Sequence, residues 1–474
     1  MLVVIVFALG LWLALEQGRK LDAPRTPVLS QPSADTSAAS LPATEPSPSL
    51  FATLRTNLQD PLPRLFLQLI IILLAARLAG ALAAKIHQPA VIGEMIAGIL
   101  LGPSLLGWIS PDAFHFVFPA SSLGSLRLFS QIGVCLFMFV VGMELNLAEL
   151  KQQAKTAVLV SQISILFPYL LGVIAALFLF PTLAGATTTF PVFALFIGIS
   201  MSITAFPVLA RILQERGLIQ TALGSTAIAC AATGDAAAWS ILAFVVAIAS
   251  AQSLLATAST IGLVVVFVGF MLLWVRPRLP RCFDYISHRS GAPGKGVFTM
   301  ALVFLFVSAL ATEMMGIHAL FGAFLAGLVM PARGELREFL RVRLENFSAV
   351  FLLPLFFAFT GLRTQIGLLN GSSDWVICLG LILVATIGKL GGAMFAARLT
   401  GINWIDSFAL GALMNTRGLI ELIALNIGYD LGILSPRIFA MLVIMTLVTT
   451  CMTGPLLSCS DLLRNRKALA ATPT

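Results

Sequence analysis

Long apolar runs separated by short polar stretches dominate the chain from Arg64 onward. Each run is close to the roughly 20 residues that an α-helix needs to cross a bilayer. The pattern predicts an all-α polytopic membrane protein with thirteen spans, at about residues 65–84, 89–107, 123–144, 156–180, 190–213, 219–249, 255–275, 296–313, 316–331, 344–362, 375–398, 404–428 and 435–459.

Lysine and arginine residues between these runs fall mostly on one side of the predicted membrane. If the first span ends in the cytoplasm, eighteen of them lie in loops on that side, and only Arg127, Arg363 and Arg437 lie in the opposite loops. This distribution follows the positive-inside rule. It predicts a cytoplasmic C-terminus, and it places the segment before the first span outside.

The regions around the apolar runs differ from them in composition. Residues 1–20 begin with an apolar run of about 15 residues, typical of a signal peptide or an N-terminal anchor, and the sequence leaves both open. Residues 21–63 are rich in Pro, Ser and Thr, which predicts a disordered linker. Residues 64–460 then form the transmembrane domain, and residues 461–474 form a short cytoplasmic tail.

Composition excludes a soluble globule. The chain is 58% hydrophobic and 11% charged, and its mean hydropathy is +0.98. The formal charge of +8 comes from residues between apolar runs, so the expected partner is the lipid bilayer and not nucleic acid. The six cysteines form no CxxC pair, so neither a disulfide framework nor a zinc site is predicted, and no cofactor is expected.

Three predicted spans carry ionisable residues near their midpoints: Asp235 in the sixth, Lys389 in the eleventh, and Arg417 with Glu421 in the twelfth. A charge at the bilayer centre costs about 2.5 kcal/mol or more, so each such residue needs a partner, water or a function. These residues are therefore the candidates for function.

Asp235 is the strongest of these candidates. Small residues surround it, which leaves room for water or an ion, and the predicted cation and proton site consists of Asp235 with Gly234, Thr233 and Thr204. Burial favours the protonated form of a carboxylate and a nearby cation favours the ionised form, so a proton and an alkali cation can compete for this group. The alternative is a carboxylate paired permanently with a buried base.

Two predicted spans have polar breaks near their middles. The fifth contains Thr204 and Pro207, and the twelfth contains Asn415, Thr416, Arg417 and Gly418. Proline removes a helix hydrogen bond, and hydroxyl side chains can satisfy the freed backbone groups. The breaks lie seven spans apart, so their helices run in opposite directions. This predicts inverted repeats, residues 89–249 and 316–459, whose two crossed discontinuous helices meet at the membrane midplane.

Lys389 lies among glycines at positions 388, 391 and 392. Because a buried lysine loses its proton readily, Lys389 either titrates during transport or stays as a fixed counter-charge. The alternative is a side chain that snorkels to the membrane surface.

Six motifs follow one another along the chain: residues 88–94 (QPAVIGE), 98–103 (GILLGP), 139–145 (FVVGMEL), 203–211 (ITAFPVLAR), 316–331 (GIHALFGAFLAGLVMP) and 415–428 (NTRGLIELIALNIG). Together they resemble the monovalent cation/proton antiporter superfamily, in the branch of potassium-efflux (Kef-type) systems and plant cation/H+ exchangers. The resemblance covers roughly residues 65–460.

The resemblance implies a thirteen-helix fold with a dimerisation domain and a mobile six-helix core that contains two crossed, broken helices. It further implies a homodimer and exchange of K+ or Na+ for H+ by an elevator-like movement of the core. The family's core aspartate matches Asp235, and its lysine matches Lys389. Members usually have Asp-Asp, Asn-Asp or Gln-Asp where this chain has Gly234 and Asp235. In Asp-Asp members the first carboxylate pairs with the lysine, so Lys389 lacks that partner, and the stoichiometry stays open.

The predicted function is secondary active antiport that contributes to cation and pH homeostasis, in a cell membrane such as the bacterial inner membrane. A gated monovalent cation channel on the same fold is the alternative, and it predicts flux that does not depend on a counter-gradient. An intramembrane aspartyl protease is not predicted, because Ala232 stands where a GxGD motif needs glycine. We therefore expect the protein not to be an enzyme.

Overall fold

A computed structural model describes residues 10–17, 57, 60–86, 88–144, 154–186, 188–250, 254–288, 294–331 and 334–471. Within these ranges the regular structure is helical, apart from one isolated bridge between Ala184 and Leu434. Nearly all of the predicted linker, and the start of the predicted anchor, lie outside the described residues.

From Pro61 to His288 the described residues form eleven α-helices: α1 Pro61–Lys85, α2 Ala90–Leu101, α3 Leu106–Ile109, α4 Pro111–Val117, α5 Leu123–Glu144, α6 Ala154–Leu183, α7 Phe190–Ser202, α8 Phe206–Glu215, α9 Ala222–Ser250, α10 Leu254–Gly269 and α11 Arg276–His288. The second part consists of α12 Lys295–Met314, α13 Ala319–Leu328, α14 Gly334–Phe347, α15 Leu353–Arg363, α16 Ser372–Thr386, α17 Gly392–Leu399, α18 Trp404–Met414, α19 Leu419–Asp430 and α20 Pro436–Ala471. Single π-helical turns connect α10 to α11, α14 to α15, and α16 to α17.

The predicted count of thirteen spans is not confirmed. In the described part of the chain, eleven helical stretches are long and apolar enough to cross a membrane, and the pair α18 and α19, bent by 43°, makes twelve. The predicted ninth span contains α13, which has only ten residues and rises about 15 Å, half the thickness of the hydrocarbon core. Glycines allow this short helix to pack closely against its neighbours. A Cβ added at Gly322 would collide with the backbone of α12, and one added at Gly327 would collide with the backbone of α5.

The helices pack into two groups. The panel consists of α1, α2, α5, α12, α13 and α15, and the core consists of α6 to α9 and α16 to α20. Contacts within each group are far more extensive than contacts between them. Both interrupted helices, α7 with α8 and α18 with α19, belong to the core.

The three arginines on the side of the protein whose loops contain few basic residues all form ion pairs. Asp430, at the end of α19, pairs with Arg127 of α5 at 3.2 Å and with Arg363 of α15 at 2.7 Å. Arg437 pairs with Asp374. Two of these three contacts join the core to the panel, so this side of the panel–core boundary is closed by charge as well as by packing.

Both ends of the described chain are helical. The helix at residues 10–17 contacts α6, because Ala14 is buried and a Cβ added at Gly10 would lie 3.1 Å from the Leu170 side chain. At the other end, α20 continues through Ala471 and therefore includes most of the predicted tail.

Candidate functional site

The first helix break lies between α7 and α8. Residues 203–205 leave the helix, with Ile203 and Ala205 in extended conformations and Thr204 buried between them. Pro207, which the sequence suggested as the breaking residue, instead lies in the first turn of α8. A proline is well tolerated there, because the backbone N–H that it lacks would have no partner within the helix.

The second break lies between α18 and α19, at residues 415–418. Gly418 has φ +148°, in the region that favours glycine. A Cβ at this position would also approach Val208 of α8 to 3.1 Å. Glycine therefore permits both the backbone turn and the close approach of the other broken helix.

The two breaks contact each other, as the sequence predicted. The backbone N–H of Ala205 donates to the Thr416 carbonyl at 3.0 Å. The Thr204 hydroxyl donates to the Met414 carbonyl at 3.2 Å. Each break thus satisfies backbone groups that the other leaves without a helical partner.

Arg417 caps the first half of the other broken helix. Its buried guanidinium donates to the carbonyls of Ser200 at 2.7 Å and Met201 at 2.6 Å, in the last turn of α7. It also pairs with buried Glu421 at 3.0 Å. A cation at the C-terminus of one half-helix and a carboxylate in the first turn of α19 both compensate helix dipoles.

Asp235 lies near the middle of α9 and is completely buried. Among the residues that the structure describes, neither of its carboxylate oxygens has a hydrogen-bond partner. The positive groups that face it are the Phe206 backbone N–H, at the start of α8, and the Lys389 ammonium. The carboxylate therefore faces positive potential at the crossing without being locked to a base.

Lys389 is also completely buried, so the snorkelling alternative is wrong. It lies in the π-helical turn Ile387–Gly391, a distortion that often occurs at functional sites. Its ammonium donates to Thr204 Oγ1 at 2.6 Å and to Ser164 Oγ at 3.4 Å. Two neutral hydroxyls thus hold the lysine, and Thr204 joins it to the crossing.

The remaining predicted residues have other contacts. Thr233 donates to the Ala229 carbonyl within its own helix at 2.8 Å. The Asn415 side chain donates to the Thr449 carbonyl of α20 at 3.4 Å, and the Thr416 hydroxyl lies 3.5 Å from that of Thr453. These two residues fasten the second break to α20.

Sequence reasoning missed three hydroxyl residues. Ser164 holds Lys389, Ser161 is a buried neighbour of Gly234, and Thr450 of α20 exchanges hydrogen bonds with the backbone N–H and carbonyl of Arg417. The signal for the serines was their spacing, since residues three apart share one helix face. Which helix that face meets was not encoded locally.

Comparison with known proteins agrees with this architecture. The model of the transmembrane sodium/hydrogen exchanger family matches residues 70–459. The Na+/H+ antiporter NhaS4 of Synechocystis sp. is 43% identical over 392 residues, which cover 82% of this chain and 95% of that protein. The K+/H+ antiporter 1 of Saccharomyces cerevisiae is 34% identical over 84% of this chain, which spans 46% of that longer protein.

The sodium proton antiporter MjNhaP1 of Methanocaldococcus jannaschii has the same fold, with a TM-score of 0.57 at 17% identity. The match covers 84% of this chain and 97% of that one. Because the family match and the first relative both cover most of the chain, the chain belongs to the transmembrane sodium/hydrogen exchanger family.

Proposed function

We propose that this chain is a secondary active antiporter that exchanges K+ or Na+ for H+ by alternating access and contributes to cation and pH homeostasis. The observation that carries the proposal is Asp235, a buried carboxylate with no hydrogen-bond partner among the described residues, beside two crossed helix breaks. The relatives in Synechocystis and yeast, named as Na+/H+ and K+/H+ antiporters, support it.

Coupling follows from the charge of one carboxylate. Asp235 loaded with either a proton or a monovalent cation is neutral, whereas the empty carboxylate carries a full charge that is costly at membrane depth. A proton and a cation use the same oxygens, so they bind in competition. The core therefore moves readily when Asp235 is loaded and resists movement when it is empty, which is the condition for exchange without leak.

The surrounding residues connect the parts of the site to one another. The first amide of α8 faces the carboxylate, Thr204 links Lys389 to the second break, and Arg417 with Glu421 neutralises the ends of α7 and α19. Lys389 acts as the charge partner of Asp235. Since these contacts lie within the core, the site can move as a rigid body.

The proposal extends to the whole protein. The core moves against the panel to expose Asp235 to each side in turn, and the panels of two copies form a homodimer in the cell membrane. The excess of lysine and arginine on one loop side supports a cytoplasmic C-terminus with the linker outside.

The central test is Asp235→Asn, which keeps the shape of the side chain and removes its charge. We expect it to abolish cation-dependent proton movement in everted vesicles while the protein stays folded. The matched control is Asp406→Asn, because Asp406 is partly exposed and pairs with Arg464 near the end of α20. Normal exchange by the Asp235 variant would overturn the site assignment.

The same vesicles distinguish antiport from a channel. An antiporter moves protons only when a cation moves in the opposite direction, and each cation can be added in turn to rank K+ against Na+. Cation flux that persists without any proton counter-movement would instead indicate a channel.

A further inference from the structure

Ser161 of α6 has a buried hydroxyl that the antiport site described above does not use. The side chain is completely buried, and its Oγ has no hydrogen-bond partner among the described residues. Burying a hydroxyl without a partner is costly, so such groups are rare in folded proteins and call for an explanation.

The hydroxyl lies next to the residue that precedes Asp235. A Cβ added at Gly234 would lie 3.3 Å from Ser161 Oγ, and 3.8 Å from the side chain of Ile165 in the same helix. Because Gly234 has no side chain, the Ser161 hydroxyl can approach α9 closely at the residue before Asp235. Asp235 and Ser161, whose side-chain oxygens have no hydrogen-bond partner among the described residues, therefore lie at a similar level on two helices that contact each other.

The neighbouring serine, Ser164, differs from Ser161 in its contacts. Ser164, one turn further along α6, accepts a hydrogen bond from the Lys389 ammonium at 3.4 Å. Ser161 has no such contact in the described part of the chain. The two serines thus separate the functions of this helix face: one holds the lysine, and the other remains available to a ligand.

We propose that the Ser161 hydroxyl is an oxygen ligand of the transported cation, together with the carboxylate of Asp235. The proposal rests on the antiport function above and adds a residue to its site. Alkali cations exchange their hydration shell for protein oxygens, and a hydroxyl supplies one without adding negative charge. Asp235 remains the carboxylate that one proton or one monovalent cation neutralises.

The test is Ser161→Ala, assayed for exchange across a range of cation concentrations. We expect the apparent KM for the cation to rise about tenfold, as for the loss of one oxygen contact to a charged group. The maximal rate at saturating cation should stay near that of the wild type. Ser348→Ala is the matched control, because Ser348 is equally buried and also has no hydrogen-bond partner in the described structure, but lies outside the core, in the π-helical turn that leads into α15.

A rescue variant separates ligation from packing. Adding Gly234→Ser to Ser161→Ala returns a hydroxyl to the same space from the opposite helix, and we expect it to recover most of the lost affinity. Cation-induced thermal stabilisation of the detergent-solubilised protein gives a second readout that does not need transport. In Ser161→Ala, this stabilisation should require about tenfold more cation.

The outcomes keep the two proposals apart. If the wild type exchanges, Asp235→Asn does not, and Ser161→Ala has an unchanged apparent KM, then the ligand assignment is overturned and antiport stands. A KM that rises equally in Ser161→Ala and Ser348→Ala also overturns it, since a general loss of packing would explain both. If the wild type shows no exchange, the proposed function itself fails.

Discussion

Two buried ionisable side chains, Asp235 and Lys389, interact electrostatically in the core, but no hydrogen bond joins them. Lys389 donates to Thr204 and Ser164, and Asp235 has no hydrogen-bond partner among the described residues. A strong direct pair would hold the carboxylate ionised through the whole cycle and exclude the proton. Because the lysine donates to neutral hydroxyls and not to Asp235, the carboxylate remains able to exchange its ligand.

Competition at a single carboxylate makes a quantitative prediction about pH. As the pH falls through the range where a proton occupies Asp235, the apparent KM for the cation should rise on the order of tenfold per pH unit. The maximal rate at saturating cation should change much less. Initial rates measured over a grid of pH and cation concentration test this, and an apparent KM that does not change with pH would indicate separate sites.

Lys389→Ala should alter the pH profile of exchange. The variant removes a positive charge that faces Asp235, so proton release becomes harder and half-maximal exchange should occur at a higher pH. It also leaves the Thr204 and Ser164 hydroxyls without their donor. Lys85→Ala, at an exposed helix end, is the control. A profile identical to that of the wild type would contradict the role of Lys389 as charge partner.

The broken helices show how this fold stabilises helix ends away from water. The C-terminus of α7 receives the Arg417 guanidinium, the first turn of α19 contains Glu421, and the N-terminus of α8 faces Asp235. Each dipole thus meets a charge of opposite sign. In lipid, the alternative is a backbone group with no partner, which costs several kcal/mol.

Arg417→Gln should therefore destabilise the protein strongly. The change leaves the carboxylate of Glu421 without its partner and uncaps the carbonyls of Ser200 and Met201. Breaking a buried pair of this kind costs about 3–5 kcal/mol. Thermal unfolding in detergent measures the effect, with Arg341→Gln as control, because the solvent-exposed pairs of Arg341 contribute little to stability. Equal melting temperatures for the two variants would refute this account.

At the scale of the whole molecule, the panel and the core meet along a boundary that carries ion pairs on one side. Asp430 of the core contacts Arg127 and Arg363 of the panel, where the loops contain few other basic residues. These partly exposed pairs are individually weak, so they can open during a movement of the core. In the proposed mechanism, the core then carries Asp235 across the membrane with its charge neutralised by the bound proton or cation.

We expect the exchange to be electroneutral, one cation for one proton. Gly234 contributes no second carboxylate, and Lys389 is held by two hydroxyls, so Asp235 alone changes its ligand. The core then carries the same net charge in both directions. Purified protein in liposomes should exchange at a rate that an imposed membrane potential does not change. Acceleration by a potential of one sign would show that net charge moves.

The sequence alone determined the helical class, the positions of most spans, the place of Asp235 near the middle of its helix and the two helix breaks. These properties follow from local patterns, because hydropathy sets which segments enter lipid and because charged or helix-breaking residues at mid-span are visible directly. The sequence overestimated the length of α13, which it predicted as a full span. A short helix that packs closely against its neighbours through glycines is as apolar as a longer helix that crosses the membrane.

Only the tertiary structure decided which polar groups meet. Ser164 and Lys389 are 225 residues apart, and Arg417 caps carbonyls more than 200 residues away. Hydropathy cannot encode such contacts, because every membrane helix is apolar towards lipid and its partners are chosen by close packing at small residues. The hydroxyl of Ser161 beside Gly234 is a result of that packing, and no pattern along either helix specifies it.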